Sequence, residues 1–394
     1  MNRCKVQEIA ELITKGTTPT TLGFSYIDEG INFVKIESID ANGKFDKTKF
    51  AHISEECHVS LKRSKLQKND ILFSIAGAIG RTAIVSEDIL PANTNQALAI
   101  IRLKKNNNDL NFIRYQLSSA SVIKQTEKQK QGVAQLNLSL KDIGNLEINV
   151  PSLPEQKKIA SHLDTIQSAI DNKKQQLQQL DELVKSKFVE MFGETPIESG
   201  KWKVETLGSK SELITKGASP RWQGVEYQSE GTLFVTSENV REGYVDLTKS
   251  KYLPDEINEI LPRSILKKND VLINIVGASI GRAAIYEFEQ KANINQAVAL
   301  VRLNSSDLDK TFLLIYLNSE LAMKLYQSMI KGGARDNLSL KNISDLSIPV
   351  PPIELQNTFA EYVQKIDSAK SIIKTQLNDL NELLESKMDF YFGE

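Results

Sequence analysis

The sequence predicts an α+β protein: two copies of one mixed α/β module, each followed by a long helix, the two helices packing as an antiparallel coiled coil about a pseudo-twofold axis. Three observations carry this: an internal repeat about 200 residues long, strand-like runs in the first part of each copy, and a heptad pattern in the second. Leu12-Ile13-Thr14-Lys15-Gly16 returns as Leu213-Ile214-Thr215-Lys216-Gly217, and KNDILFSIAGAIGR, ending at Arg81, returns as KNDVLINIVGASIGR, ending at Arg282. Asn93-Thr94-Asn95-Gln96-Ala97 answers Asn293-Ile294-Asn295-Gln296-Ala297, and Asn137-Leu138-Ser139-Leu140-Lys141 answers Asn337-Leu338-Ser339-Leu340-Lys341. Both copies close on Phe-Gly-Glu, at Glu194 and Glu394. A repeat that long is a domain with its appendage, not a solenoid unit.

In the first copy, Ile31 to Ile36, Asp70 to Ile75, Leu98 to Leu103 and Leu146 to Val150 are short apolar runs bounded by Asn, Asp, Gly and Pro, the pattern of strands. Leu110 to Gln131 reads as one helix. Pro151 and Pro351 stop the last strand of each module, which places the modules at 1–150 and 195–350 and the long helices at 151–194 and 351–394. Ile159, Leu163, Ile166, Ile170, Leu177, Leu180 and Val184 follow a spacing of three and four, interrupted by Lys173. Phe359, Val363, Ile366, Ile373, Leu377, Leu380 and Leu384 keep the same phase, with Lys370 as the intruder. A helix of about 37 residues is roughly 55 Å long, more than one small module covers. The two helices are therefore expected to pack on each other; the alternative is that each packs only on its own module.

Composition narrows the function. With 394 residues, 40% hydrophobic and 25% charged, the chain has room for two ordinary domains and is too polar for a membrane protein. Forty-nine Lys and Arg against fifty Asp and Glu leave a formal charge of −1, so any nucleic-acid site must be local. Residues 1–150 carry 20 basic and 16 acidic side chains, residues 195–350 carry 19 of each, and the two helix segments are at −1 and −4. Cys4 and Cys57 form no CxxC pair and the first residues hold no apolar signal segment, so a cytosolic, reduced setting is expected. Three histidines, His52, His58 and His162, give no zinc-type spacing.

Catalytic motifs are missing. Gly77-Ala78-Ile79-Gly80-Arg81 has neither the spacing nor the lysine of a phosphate-binding loop and reads as a strand-to-strand turn. No GxSxG elbow occurs, and no histidine survives the duplication; His162 answers Tyr362. Val350-Pro351-Pro352-Ile353 lacks the flanking residues that hold a flipped base and reads as a linker. Asp70 and Asp270 do repeat, but each follows Lys-Asn and precedes an apolar strand, which is turn chemistry. The residues describe a binding protein, with no catalytic residues, no metal and no cofactor expected.

Taken together, Lys15-Gly16-Thr17-Thr18-Pro19 and Lys216-Gly217-Ala218-Ser219-Pro220, Asn69-Asp70-Ile71-Leu72 with Ile79-Gly80-Arg81, Asn95-Gln96, and Pro151-Ser152-Leu153-Pro154-Glu155-Gln156 opening the first helix resemble the specificity subunit of Type I restriction-modification systems. The resemblance spans essentially the whole chain. The second copy departs from it at Ala218-Ser219 and at Pro351-Pro352-Ile353-Glu354-Leu355-Gln356, which lacks a proline where Pro154 stands. The resemblance implies a non-catalytic subunit whose modules are target-recognition domains, each reading one half of a bipartite double-stranded DNA sequence. It further implies helices that act as a spacer and dock two methyltransferase (modification) subunits, with restriction subunits joining the full complex.

Lys15, Arg81, Lys128 and Lys130 in the first module, and Lys216, Arg221, Arg282, Lys331 and Arg335 in the second, are the basic loop candidates for DNA. Candidates for base edges are Thr17, Thr18, Gln135 and Asn137, then Ser219, Arg335 and Asn337, since Arg pairs with guanine while Asn and Gln pair with adenine. Gln135 answers Arg335 inside a shared frame, which fits two loops reading different bases and equally fits drift in an idle loop. Asn95-Gln96 and Asn295-Gln296 do not change and read as turn holders. The alternative to DNA reading is a duplicated protein-interaction scaffold without DNA specificity.

Overall fold

The computed structural model describes residues 2–105, 108–130, 137–304, 306–330 and 337–393. Among the described residues the first module contains nine strands: β1 (Asn2–Lys5), β2 (Ala10–Lys15), β3 (Ile31–Val34), β4 (Ala51–Ile53), β5 (Ile71–Ser74), β6 (Thr82–Ile84), β7 (Ala92–Thr94), β8 (Leu98–Leu103) and β9 (Glu147–Val150). The second repeats them as β10 (Lys203–Thr206), β11 (Ser211–Lys216), β12 (Thr232–Val235), β13 (Tyr252–Leu253), β14 (Val271–Asn274), β15 (Ala283–Ile285), β16 (Ala292–Ile294), β17 (Val298–Leu303) and β18 (Ser347–Val350). An antiparallel sheet runs β2-β8-β5-β6, a mixed sheet runs β4-β3-β7 with β3 parallel to β7, and β1 pairs with β9 as a ribbon. The second module has the same three sheets in the same order.

Side chains on β5 alternate between two cores, which is why the strand is apolar throughout. Ile71 and Phe73 face Phe112, Ile113 and Val122 of the helices, whereas Leu72 faces Val34 and Ala92 of the mixed sheet. Val271 and Ile273 against Phe312 and Tyr326, with Leu272 against Leu233 and Ala292, repeat the layering. The turn before β5 places Asn69 at φ 70°, and Asn269 matches at 76°, a left-handed position that Asn tolerates better than most residues.

The single helix expected over 110–131 is two helices, Leu110–Leu117 and Ala120–Lys130. The break is made by serine. Ser119 Oγ accepts from Val122 N at 3.4 Å, and Ser319 does the same for Ala322 N at 3.3 Å, starting a new helix where periodicity alone shows no interruption.

Each long helix has forty residues, Leu153–Phe192 and Ile353–Phe392. Its first turn is tied to its module by a buried glutamine. Gln156 Oε1 accepts from Asp109 N at 2.9 Å while its Nε2 donates to Pro151 O at 2.9 Å; Gln356 bonds Asp309 N and Pro351 O at 2.9 and 2.7 Å.

By packing, the chain forms two units, one of residues 1–174 and 375–394, the other of residues 175–374. Each therefore contains half of both long helices. In the first, Ile159, Leu163 and Phe392 join the module core, with Met388 and Tyr391 against it, and His162 Nδ1 lies 3.0 Å from Tyr391 Oη. In the second, Val184, Phe188 and Phe192 pack with Phe312, Phe359 and Val363. There Asp181 pairs with Lys370 at 2.6 Å, the Lys187 ammonium lies 5.9 Å from the Tyr362 ring centre, and Phe188 meets Phe359 edge-on. Residue numbers rise on one helix as they fall on the other, the signature of antiparallel pairing. Lys370, the residue that interrupts the heptads, is neutralised by Asp181. The seam thus serves both helix–helix and helix–module packing.

Candidate nucleic-acid interface

The register of the four-stranded sheet brings four chain segments to one of its ends. Lys15 pairs with Ala99, Leu98 with Ser74, and Phe73 with Thr82, so β2 and β5 finish where β6 and β8 begin. The segments beyond are residues 16–18, 75–81 and 95–97. A fourth arrives through Leu138 N, which donates to Ile75 O at 3.0 Å and brings Asn137 to the same end. In the second module Lys216 pairs with Ala299, Asn274 with Val298, and Val276 bridges Asn337.

Glycine at 16 and 217 is required by crowding. A Cβ added to Gly16 would lie 2.0 Å from Thr94 O, and one added to Gly217 would lie 1.6 Å from Ile294 O. That approach lets Thr17 N donate to Thr94 O at 3.2 Å and sets the Thr18 hydroxyl on Gln96 Oε1. Asn95 Oδ1 accepts from Ala97 N at 3.1 Å and Asn295 Oδ1 from Ala297 N at 3.1 Å, so both asparagines hold a turn with their own backbone. Ser139 and Ser339 cap the short helices that follow Asn137 and Asn337, each accepting at 3.1 Å from the backbone three residues on.

The candidate side chains are distributed as follows. Lys15, Lys216, Arg221, Arg282, Asn137 and Asn337 are exposed; Thr17, Thr18 and Ser219 are half-buried. Arg81 is half-buried and turned inward, its Nη1 donating to Ile39 O at 2.6 Å. Lys128 is exposed on the helix Ala120–Lys130, outside the sheet-end segments. Gln135, Arg335 and Lys331, and the side chain of Lys130, lie outside the described residues.

Two features escaped the sequence reading. Trp222 is 78% exposed in the one-turn helix Pro220–Gln223, beside Arg221. Its signal was available, since an indole between Pro-Arg and Gln-Gly has no periodic apolar neighbours to pack with. The second is the partner of the repeated acid. Asp70 is buried and held by Arg102, and Asp270 by Arg302, so this repeated acid is occupied in a structural ion pair in each module. Donating to these carboxylates pushes both guanidinium groups above their ordinary range, with burial opposing. Among the described residues no group of three His, Cys, Asp or Glu side chains could hold a metal ion, and no helix is long and apolar enough to cross a membrane.

Comparison with known proteins agrees with this architecture. The domain described as Type I restriction modification DNA specificity domain matches residues 1–182 and again 200–382. The Type I restriction enzyme EcoBI specificity subunit of Escherichia coli is 26% identical over 344 residues, 80% of this chain and 71% of the relative. The putative type I restriction enzyme MjaX specificity subunit of Methanocaldococcus jannaschii is 24% identical, covering 98% of this chain and 91% of its own. Among solved structures, the S subunit of the Type I restriction-modification system from M. genitalium aligns with TM-score 0.51 and 15% identity, covering 98% of this chain and 94% of the other. A chain from work on complex assembly and conformational transition of the type I R-M system aligns with TM-score 0.60 and 18% identity, covering 99% and 97%. With the domain present twice and the fold shared along its length, the chain belongs to the family of Type I restriction-modification specificity subunits.

Proposed function

We propose that the two modules each read one half of a bipartite double-stranded DNA target through the sheet-end segments, and that the chain itself catalyses nothing. It directs two modification subunits, joined in the full complex by restriction subunits, to that sequence in the cytosol. The carrying observation is the duplicated sheet end: one backbone frame, fixed by Gly16 and Gly217, presents Thr17 and Thr18 in one module and Ala218 and Ser219 in the other. A constant frame with changing polar groups is what two related readers of different sequences need. Lys15, Lys216 and Arg221 supply phosphate contacts and Thr17, Thr18, Ser219, Asn137 and Asn337 face the bases; Gln135 and Arg335 remain base-reading candidates from their residue type alone. The domain division follows the same logic, 1–150 and 195–350 as target-recognition domains, 151–194 and 351–394 as the spacer helices on which modification subunits dock.

The test is methylome sequencing of a methylation-deficient strain carrying the chain and its modification subunits. Replacing residues 1–150 with the equivalent module of a relative is expected to change one half of the methylated sequence and leave the other intact. Alteration of both halves would contradict independent reading.

A further inference from the structure

We infer that the two modules use their equivalent arginines in opposite ways: Arg81 is a positioning residue that clamps the inside of the first module, whereas Arg282 contacts DNA in the second, released for that task by Asn274. This rests on the sheet-end reading above and assigns roles within it.

At one corner of each module a buried backbone carbonyl needs a side-chain donor. The chain turns a corner after β3, and the carbonyls of Ile36 and Ile39 there accept from Arg81 Nη1 at 3.4 and 2.6 Å. Ile39 is buried, so an unpaired carbonyl at that place is costly. The same corner after β12 exposes the same need at Ser237 and Val240, yet the donor is different. Asn274 Nδ2 lies 3.0 Å from Ser237 O and 3.4 Å from Val240 O.

Asn274 stands where the first module has Ser74. A serine hydroxyl is too short for the corner, and Ser74 Oγ instead donates to Ala76 O at 2.8 Å. The first module must therefore bring its donor from Arg81. In the second, the turn before Arg282 is one residue longer, and the extra residue is Ser279, whose Oγ lies 3.1 Å from Asn274 Nδ2. Asparagine, the longer turn and the outward arginine form one coordinated exchange.

Arg282 is left exposed, and its guanidinium makes no hydrogen bond or ion pair with any other described residue. It leads into β15 at the end of the sheet where Lys216 and Asn337 converge. A planar guanidinium held at such an edge can take guanine O6 and N7 bidentately or a phosphate oxygen.

The experiment uses the full chain, with thermal unfolding of the purified protein and methylome sequencing of the strain described above, whose chromosome is the DNA probe. Arg81→Ala is expected to lower Tm by about 5 °C. Ser74→Asn in that background is expected to recover part of the loss, because an amide again reaches Ile36 O and Ile39 O; Arg81→Lys, which keeps a donor, gives a milder readout if Arg81→Ala does not fold. Arg282→Ala is expected to leave Tm within about 1 °C while second-half-site methylation falls about tenfold or loses selectivity at one base. An unchanged Tm in Arg81→Ala overturns the clamp. Unchanged methylation in Arg282→Ala overturns the contact, and Lys216→Ala with Ser219→Ala then separates the causes. If those two weaken the second half-site, only this inference fails; if they too are silent, the sheet-end reading fails with it.

Discussion

Arg102 grips Asp70 with both prongs of its guanidinium, Nε to Oδ1 at 2.7 Å and Nη2 to Oδ2 at 2.8 Å, and Arg302 repeats the grip on Asp270 at 2.8 and 2.7 Å. The carboxylate also accepts from a backbone amide, Gln67 N at 2.8 Å in one module and Lys267 N at 2.7 Å in the other. The pair thereby fastens the turn ahead of the central strand to the neighbouring strand.

Breaking that pair on one side leaves a buried charge without its partner. Arg302→Met is expected to destabilise the protein by about 3 to 5 kcal/mol. The double variant Asp270→Leu with Arg302→Met should cost clearly less, since no uncompensated charge remains. Chemical denaturation of the wild type, Arg302→Met, Asp270→Leu and the double variant checks this; a double variant as unstable as the sum of its singles would show that the two residues act separately.

Trp222 offers an optical test of the proposed DNA face. The chain has two tryptophans, and the indole of Trp202 is anchored, its Nε1 donating to Phe192 O at 2.9 Å. Emission on adding duplex DNA should therefore change through Trp222, beside exposed Arg221. Trp222→Phe is expected to abolish most of the response while leaving the fold intact. A response that persists in Trp222→Phe would place the DNA away from the segment around Pro220.

Alkaline pH should weaken the unit of residues 175–374. Burial pushes the Tyr286 phenol up to about 12, and its hydroxyl donates to Gln290 O at 2.6 Å. Tyr316 and Tyr326 are shifted in the same direction, chiefly by burial. The folded protein holds these phenols neutral, whereas the unfolded chain ionises them near pH 10, so the Tyr286 contribution is complete below that pH and is lost on rising from about 10 through 12, and those of Tyr316 and Tyr326 fade only at still higher pH. For Tyr286 alone the loss at pH 11 is on the order of 1 kcal/mol. Tyr286→Phe should flatten the fall of Tm between pH 9 and 11; an identical fall would show that this phenol does not drive it.

Much of the architecture is legible in the sequence because it is periodic. The duplication, the long helices and strands such as Leu98–Leu103 follow from repeats and from apolar runs. Other features depend on partners far along the chain. β2, written Ala-Glu-Leu-Ile-Thr-Lys, is too polar to stand out and is made a strand by pairing with β8. Lys-Asn-Asp reads as a turn, but the arginine that holds its acid lies 32 residues away. At the site, matched motifs point to the segments that the sheet end gathers, while the inward turn of Arg81 depends on carbonyls 42 and 45 residues earlier.

The ribbon of β1 with β9 sets Asn2 opposite Val150, and that of β10 with β18 sets Lys203 opposite Val350. Each module is therefore entered and left through two adjacent strands, its cut ends side by side. Such a module is a cassette in the genetic sense. A crossover just before the first strand and another just after the last replaces everything between them without rethreading the chain, and the glutamine joint at the start of the following helix asks the newcomer for a backbone amide in the place of Asp109 N or Asp309 N. Recombination between relatives can thus exchange one module whole and leave the other in place.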